Sequence, residues 1–388
     1  MEILYLSYVI PENDGRTREL LNVAKEIGNV ILVSCAKEKY HFPGLKNHFK
    51  LLVDSNAELL KPRTYLRFLK LVKKTLQEVK NIDILFLDNF FVSPIGLFLS
   101  NTRDPKITIL DCRELYTVKE RKGFFKKIFA LLDKRMIKKA DIVIAANEFR
   151  AQFMKEYYQL ESKPLVFENI WKLECNNVSK ETIDKYSHIL QNAGEKTKII
   201  STGGYDIERG TDRLVRVMKK LDDFFLFIVG GGSEKAKHVL ENIVEKEHIM
   251  NVCFVDEKLS TEELAYFITN CDIGVVNYHS NDLNNKFCAP GKIYEFLFCG
   301  KPVITTENPP LIEMCQKYGI GEADEDFYNG LLKIANNYEL YSQNVRKYIQ
   351  HVSIEENRNQ LVKNLEHLIE LKISSGGKKK DRLFQRTE

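Results

Sequence analysis

Lys292 and Glu295 stand three residues apart at the start of a stretch, Pro290 to Gly300, that reads as a helix. That spacing puts both on one helix face, opposite a stripe of Ile293, Phe296 and Leu297. Pro290 presets φ for a helix entry. Gly300 offers the left-handed stop, and Pro302 forbids continuation. A helix start carries free N–H groups and partial positive charge, which suits a phosphate. Lys292 adds a donor there, and Glu295 could accept from two neighbouring hydroxyls, such as those of a ribose. The same spacing also fits a solvated Lys–Glu pair on a surface helix. The pair is framed by a short buried strand, Ile273 to Val276, a polar loop, Asn277 to Ala289, and a second strand, Val303 to Thr306.

Other residues suited to chemistry sit at predicted strand ends. Gly203 to Gly210 follows a strand and precedes a helix. Gly203 and Gly204 let backbone approach a ligand, and Arg209 can bind phosphate oxygens bidentately. Gly230-Gly231-Gly232 makes a tight turn after Phe224 to Val229, without the G-x-G-x-x-G spacing of a dinucleotide site. Asp111, Arg113 and Glu114 cluster at another strand end, where a ligand role and an internal ion pair fit equally. Gly15 and Arg16 lie on the first loop. Asp324-Glu325-Asp326 has the D-x-D form of a metal site, but its place before a helix suits a cap.

The run from Ala289 to Ile304, A-P-G-K-I-Y-E-F-L-F-C-G-K-P-V-I, resembles the donor-binding segment of glycosyltransferase family 4. It is most similar to the variant with P-N-K-hydrophobic-Y-E, with Gly291 in place of Asn. Many members carry a first Glu eight residues before the second, where this chain has Phe287. Gly203 to Gly210 resembles the family's G-R-x-x-x-x-K-G, with Arg209 for Lys and Gly204 where the family's Arg stands. The resemblance implies a nucleoside-diphosphate-sugar donor held by Gly203, Gly204, Arg209, Gly230, Gly231, Lys292, Ile293 and Glu295, with Glu295 on the ribose. It implies an acceptor side at Gly15, Arg16 and Arg113, and catalytic candidates Asp111, Glu114 and Lys292. It further implies retention at the anomeric carbon, no metal and no cofactor. The rival readings are an epimerase of the same plan acting on a nucleotide sugar, a nicotinamide-dependent oxidoreductase that the missing fingerprint disfavours, and an inactive binding partner of an assembly complex.

These residues need a scaffold of strands whose carboxyl ends meet. The 388 residues, 44% hydrophobic and 29% charged, suit two soluble α/β domains. Alternating strands and helices predict a Rossmann-like sheet in 1–170, a connection in 171–197 and a second sheet in 198–353. A helix at 354–373 is expected to cross back to the first domain, and 374–388 to be a disordered basic tail. In the resembling fold, GT-B, the two domains face across a cleft.

No run of 18 apolar residues occurs, and the start lacks the pattern of a signal peptide. The 8 cysteines, Cys253, Cys271 and Cys299 among them, read as small buried hydrophobes in a reducing cytoplasm. Net charge is +4, but Lys119 to Lys139 holds nine basic against two acidic residues. With Phe125, Ile128, Phe129, Leu132 and Met136 on one face, core packing explains the apolar stripe. The charges point to an anionic inner-membrane surface rather than nucleic acid. The combined expectation is a cytoplasmic or peripheral enzyme moving a sugar to a lipid-linked saccharide in cell-surface polysaccharide synthesis.

Overall fold

The computed structural model describes residues 1–38, 40–175 and 178–374. It resolves into two units, one of Met1–Glu168 with the chain from Glu355 onward, the other of Asn169–Ile354.

The first unit has strands β1 Glu2–Ser7, β2 Asn29–Ala36, β3 Asn47–Leu52, β4 Ile84–Asp88, β5 Ile107–Cys112, β6 Ile142–Ala145 and β7 Leu165–Val166. They form one parallel sheet in the order β3-β2-β1-β4-β5-β6-β7. The order reverses direction between β1 and β4, and the register there sets Ser7 beside Asp88 and Asp88 beside Asp111. The helices are α1 Gly15–Ile27, α2 Asn56–Leu59, α3 Pro62–Glu78, α4 Ser93–Thr102, α5 Phe124–Lys139 and α6 Glu148–Tyr158. All five residues of β4 are buried, as a strand covered on both faces requires. α1 starts where the Asp14 side chain accepts from the Thr17 amide, and it buries Leu20, Leu21, Ala24 and Ile27. The edge strand β3 escaped the sequence pattern because only Leu51 of its six residues is buried.

The second unit has strands β8 Thr197–Ser201, β9 Phe224–Val229, β10 Val252–Val255, β11 Ile273–Val276, β12 Val303–Thr305 and β13 Gly321–Ala323. Its parallel order is β10-β9-β8-β11-β12-β13. Its helices are α7 Lys180–Gln191, α8 Thr211–Val217, α9 Glu234–Glu247, α10 Thr261–Thr269, α11 Leu283–Lys286, α12 Gly291–Phe298, α13 Pro309–Tyr318, α14 Tyr328–Asn336 and α15 Tyr338–Gln350. The segment expected as a connection, 171–197, is instead part of this unit. Leu173, Tyr186, Leu190 and Ala193 lie in its core, because α7 is amphipathic and covers the sheet.

α16 Ile354–Ser374 packs Leu361, Val362, Leu365 and Ile369 into the core of the first unit, against residues such as Ile3, Leu20 and Phe86. Burying four such side chains favours this placement by roughly 1.5–3 kcal/mol each. The expected tail lies outside the described residues from Ser375 on. Cys175 and Cys299 form a disulfide across 124 residues, which corrects the expectation that Cys299 is a lone buried thiol. The other six cysteines are free. Spacing did not signal the pair, because folding alone brings the two sulfurs together. Among the described residues no helix is long and apolar enough to cross a membrane.

Candidate functional site

In the second unit, strand order reverses at β8, between β9 on one side and β11 on the other. Open α/β sheets bind ligands at the carboxyl ends of strands flanking such a reversal. Three loops leave the sheet there. After β8, Gly204 adopts φ +68°, and a Cβ on it would lie 2.1 Å from the Gly231 carbonyl oxygen. After β9, Gly230 and Gly231 have φ of +110° and +67°. The two turns clasp through backbone alone: the Gly204 amide donates to Val229 at 3.1 Å and the Tyr205 amide to Gly231 at 2.8 Å. No side chain fits at Gly204, so this backbone has no place for the Arg of the resembling motif.

The third loop leaves β11 at Asn277, whose side-chain amide donates to the Arg209 carbonyl at 3.0 Å. That bond holds the Arg209 guanidinium over the Tyr278 ring, 4.6 Å from its centroid, with Asp206 at 3.1 Å. α12 completes the arrangement. Lys292 donates from Nζ to the Thr202 carbonyl at 2.7 Å. Burial pulls its ammonium pKa down, and Arg209 adds to that, while Glu295 and Asp206 oppose it. Burial pushes the Glu295 carboxyl up despite Lys292. Glu295 Oε2 is buried with no hydrogen-bond partner, as are Ser201 Oγ and Thr202 Oγ1 at the end of β8. A buried carboxylate oxygen without a donor is costly unless something supplies one. The site therefore offers two cations, Arg209 and Lys292, for an anion, and an acceptor, Glu295, for hydroxyls.

In the first unit, the strand-end charges form a closed network. Arg16 grips both oxygens of Asp111, at 2.6 and 3.0 Å, and donates to the Phe167 carbonyl at 2.6 Å. Arg113 pairs with Asp14 and Asp88, and Asp88 also accepts from Ser7 at 2.7 Å and Thr17 at 2.8 Å. Burial would depress the Arg113 guanidinium, but Asp88, Asp14 and Asp111 raise it and hold it charged. Asp88 is raised, chiefly by burial.

Residues 182–368 match the family model described as "Glycosyl transferases group 1". The chain carries a glycosyltransferase domain. The fold agrees over nearly the whole length. A sucrose-phosphate synthase from Thermosynechococcus elongatus superposes with TM-score 0.71 at 15% identity, covering 96% of this chain and 100% of that one. The Anabaena protein HepE in complex with UDP gives 0.71 at 15%, covering 95% and 100%. An α,α-trehalose-phosphate synthase (UDP-forming) from Burkholderia vietnamiensis gives 0.66 at 9%, covering 94% and 99%. At these identities the likeness shows the fold, two α/β units of the GT-B class. No curated protein matches the chain.

The glycosyltransferase domain brings Gly203, Gly204, Arg209, Gly230, Gly231, Lys292 and Glu295 to one edge of its sheet. Ile293 is fully buried in the core, so only its backbone is available to a ligand. Asn277, Tyr278 and Thr202 belong to the same edge and were not singled out in the sequence. Their signal was position alone, at the ends of β8 and β11. In the first unit, Asp111 is fully buried and doubly paired by Arg16, and it holds the network together. Arg16 and Arg113 are likewise committed to carboxylates, and Gly15 is the first residue of α1 rather than part of an open loop. Glu114, half-buried, is the remaining carboxylate of that candidate set. Asp324 of the D-x-D accepts from the Asp326 and Gly330 amides at the start of α14, and Glu325 pairs with Arg213. Among the described residues no cluster of His, Cys, Asp and Glu is placed to hold a metal.

Proposed function

We propose that the chain moves a sugar from a nucleoside-diphosphate-sugar donor, bound by the second unit, to a saccharide acceptor bound by the first. The observation that carries this is Glu295: a buried, partnerless carboxylate oxygen one turn from Lys292, whose ammonium reaches the Thr202 carbonyl at the start of the first glycine turn. The carboxylate suits the two ribose hydroxyls. Arg209, Lys292 and the amino-terminal turn of α12 suit the pyrophosphate, and would stabilise it as leaving group without a metal. UDP is the base-specific choice to try first, since HepE is described in complex with UDP and UDP-glucose. The family 4 motif supports transfer with retention. The basic start of α5 supports a lipid-linked acceptor at an anionic membrane face, as in surface-polysaccharide assembly.

The test is a thermal-shift panel of UDP, GDP, ADP, CMP and NAD, followed by product analysis with the stabilising nucleotide's sugars. One nucleoside diphosphate should raise the midpoint, since a ligand binding only the folded state stabilises it. A response to NAD alone would overturn the donor assignment.

A further inference from the structure

Five of the large apolar residues that the first unit leaves exposed lie on α5, on or beside α3, and just after β4, while others, such as Phe98 on α4 and Leu371 on α16, lie on other elements. Phe124 and Phe125, in the first turn of α5, are 75% and 77% exposed. Leu60 and Leu66, just before and within the start of α3, are 81% and 57% exposed, and Phe91, following β4, is 40% exposed. Ring contacts join these elements into one surface. Tyr65 of α3 meets Phe129 of α5 at 5.6 Å between centroids, and Phe90 meets Phe129 at 6.1 Å. Tyr8, following β1, meets Tyr65 at 5.2 Å and Phe91 at 5.8 Å. Core packing thus accounts for α5 from Ala130 on, where Ala130, Met136 and Ile137 are buried, and not for its exposed beginning.

Exposed cations surround the apolar tips: Lys61 and Arg63 on the α3 side, Lys119, Lys122, Lys126 and Lys127 on the α5 side. None of these six has an ion-pair partner among the described residues. Two acids stand nearby, Glu58 accepting from the Asp54 amide and Glu120 from the Thr117 hydroxyl, and the cations outnumber them. A bilayer with anionic headgroups takes both features at once, rings into the acyl boundary and cations among the phosphates. A nucleic-acid backbone would use the charges and leave the phenylalanines in water.

We propose that the amino-terminal ends of α3 and α5, with Phe91 between them, form a single platform that docks on an anionic lipid bilayer. This rests on the lipid-linked-acceptor reading above and specifies the surface that serves it. Tyr8 follows directly on the carboxyl end of β1 and Phe91 closely on that of β4, the edge at which open sheets receive ligands. Docking there brings the bilayer to the acceptor edge of this unit.

The experiment is co-sedimentation of the full chain with vesicles of phosphatidylcholine alone, or of phosphatidylcholine and phosphatidylglycerol in equal parts, at low and high salt. The wild type should partition onto the anionic vesicles and lose that preference in salt. Phe124→Ser with Phe125→Ser should weaken partitioning about tenfold or more. Lys126→Gln with Lys127→Gln should cost about fivefold per cation removed. Leu60→Ser with Leu66→Ser, far from α5 in sequence, should weaken it comparably. Wild-type binding by this last variant would overturn the two-helix platform. Equal binding to neutral and anionic vesicles would overturn the role of the cations. Absence of vesicle binding, with self-association abolished by the Phe124→Ser, Phe125→Ser pair, would make the surface an interface between copies and overturn the proposal. Nucleotide-induced thermal shifts on the same variants stay at wild-type size in every case, so failure of docking is distinguishable from failure of the glycosyltransfer reading.

Discussion

Replacing Glu295 by Ala separates a ligand-binding carboxylate from a structural one. In the structure Oε2 is buried without a donor, and burial raises the carboxyl pKa. Without ligand the group therefore contributes little to stability, and its removal should leave the unfolding midpoint unchanged or slightly higher. With nucleotide the balance reverses. A charge-assisted hydrogen bond to a ribose hydroxyl contributes about 1.5–3 kcal/mol, so losing one weakens binding about ten- to a hundredfold. Consider ligand at a hundred times the wild-type Kd. Stabilisation there is about 2.7 kcal/mol. A hundredfold weaker site leaves about 0.4 kcal/mol by the same relation. The assay is unfolding of wild type and variant with and without the nucleoside diphosphate. A destabilised variant that still responds fully to nucleotide would refute the reasoning, because Glu295 would then be a packing residue.

Three further outcomes follow from other parts of the molecule. Arg16→Met leaves Asp111 buried without its bidentate partner, and should destabilise the protein by about 3–5 kcal/mol in urea unfolding while nucleotide binding by the second unit persists. Gly204→Ala forces a left-handed residue, costing about 1–2 kcal/mol, and drives a Cβ against Gly231, so calorimetry should show donor affinity lost while circular dichroism stays close to wild type. Asp133, fully buried on α5 and bonded to Ser93 at 2.6 Å, has its pKa pushed by burial from 3.8 to about 7. The folded state then binds a proton that the unfolded state releases, so this group's stabilisation is complete below about pH 4 and fades as pH rises through 7. Asp133→Asn should remove that fall, worth up to about 4 kcal/mol, when midpoints are compared across pH.

The sequence conveyed the second unit better than the first because its site is made of residues with strong local signatures. Pro290, Gly300 and the stripe of Ile293, Phe296 and Leu297 mark α12 within a dozen residues. The clasp of Gly204 on Gly231 was legible only as two separate glycine turns, since it depends on β8 and β9 being neighbours. The first unit's charges were visible at the end of β5 and on the loop before α1, but Asp88 at the end of β4 was not picked out, and nothing local says which Arg meets which Asp. Arg16 and Asp111 are 95 residues apart in the chain, and only the sheet register brings them together. The apolar start of α5 looked like core because periodicity reports a face and not what covers it. Edge strands β3 and β13 were missed for the complementary reason, having too few buried residues to leave a pattern.

The placement of α16 also sets an order of events during synthesis. The sheet of the first unit is finished by residue 168, yet the helix that covers Ile3, Leu20 and Phe86 begins at Ile354. At about 5–20 residues per second on the ribosome, the intervening chain takes roughly ten to forty seconds to emerge. Throughout that interval the early sheet presents an uncovered apolar stripe, while the second unit is being made and closes its own core without α16. The half that is made first is therefore completed last.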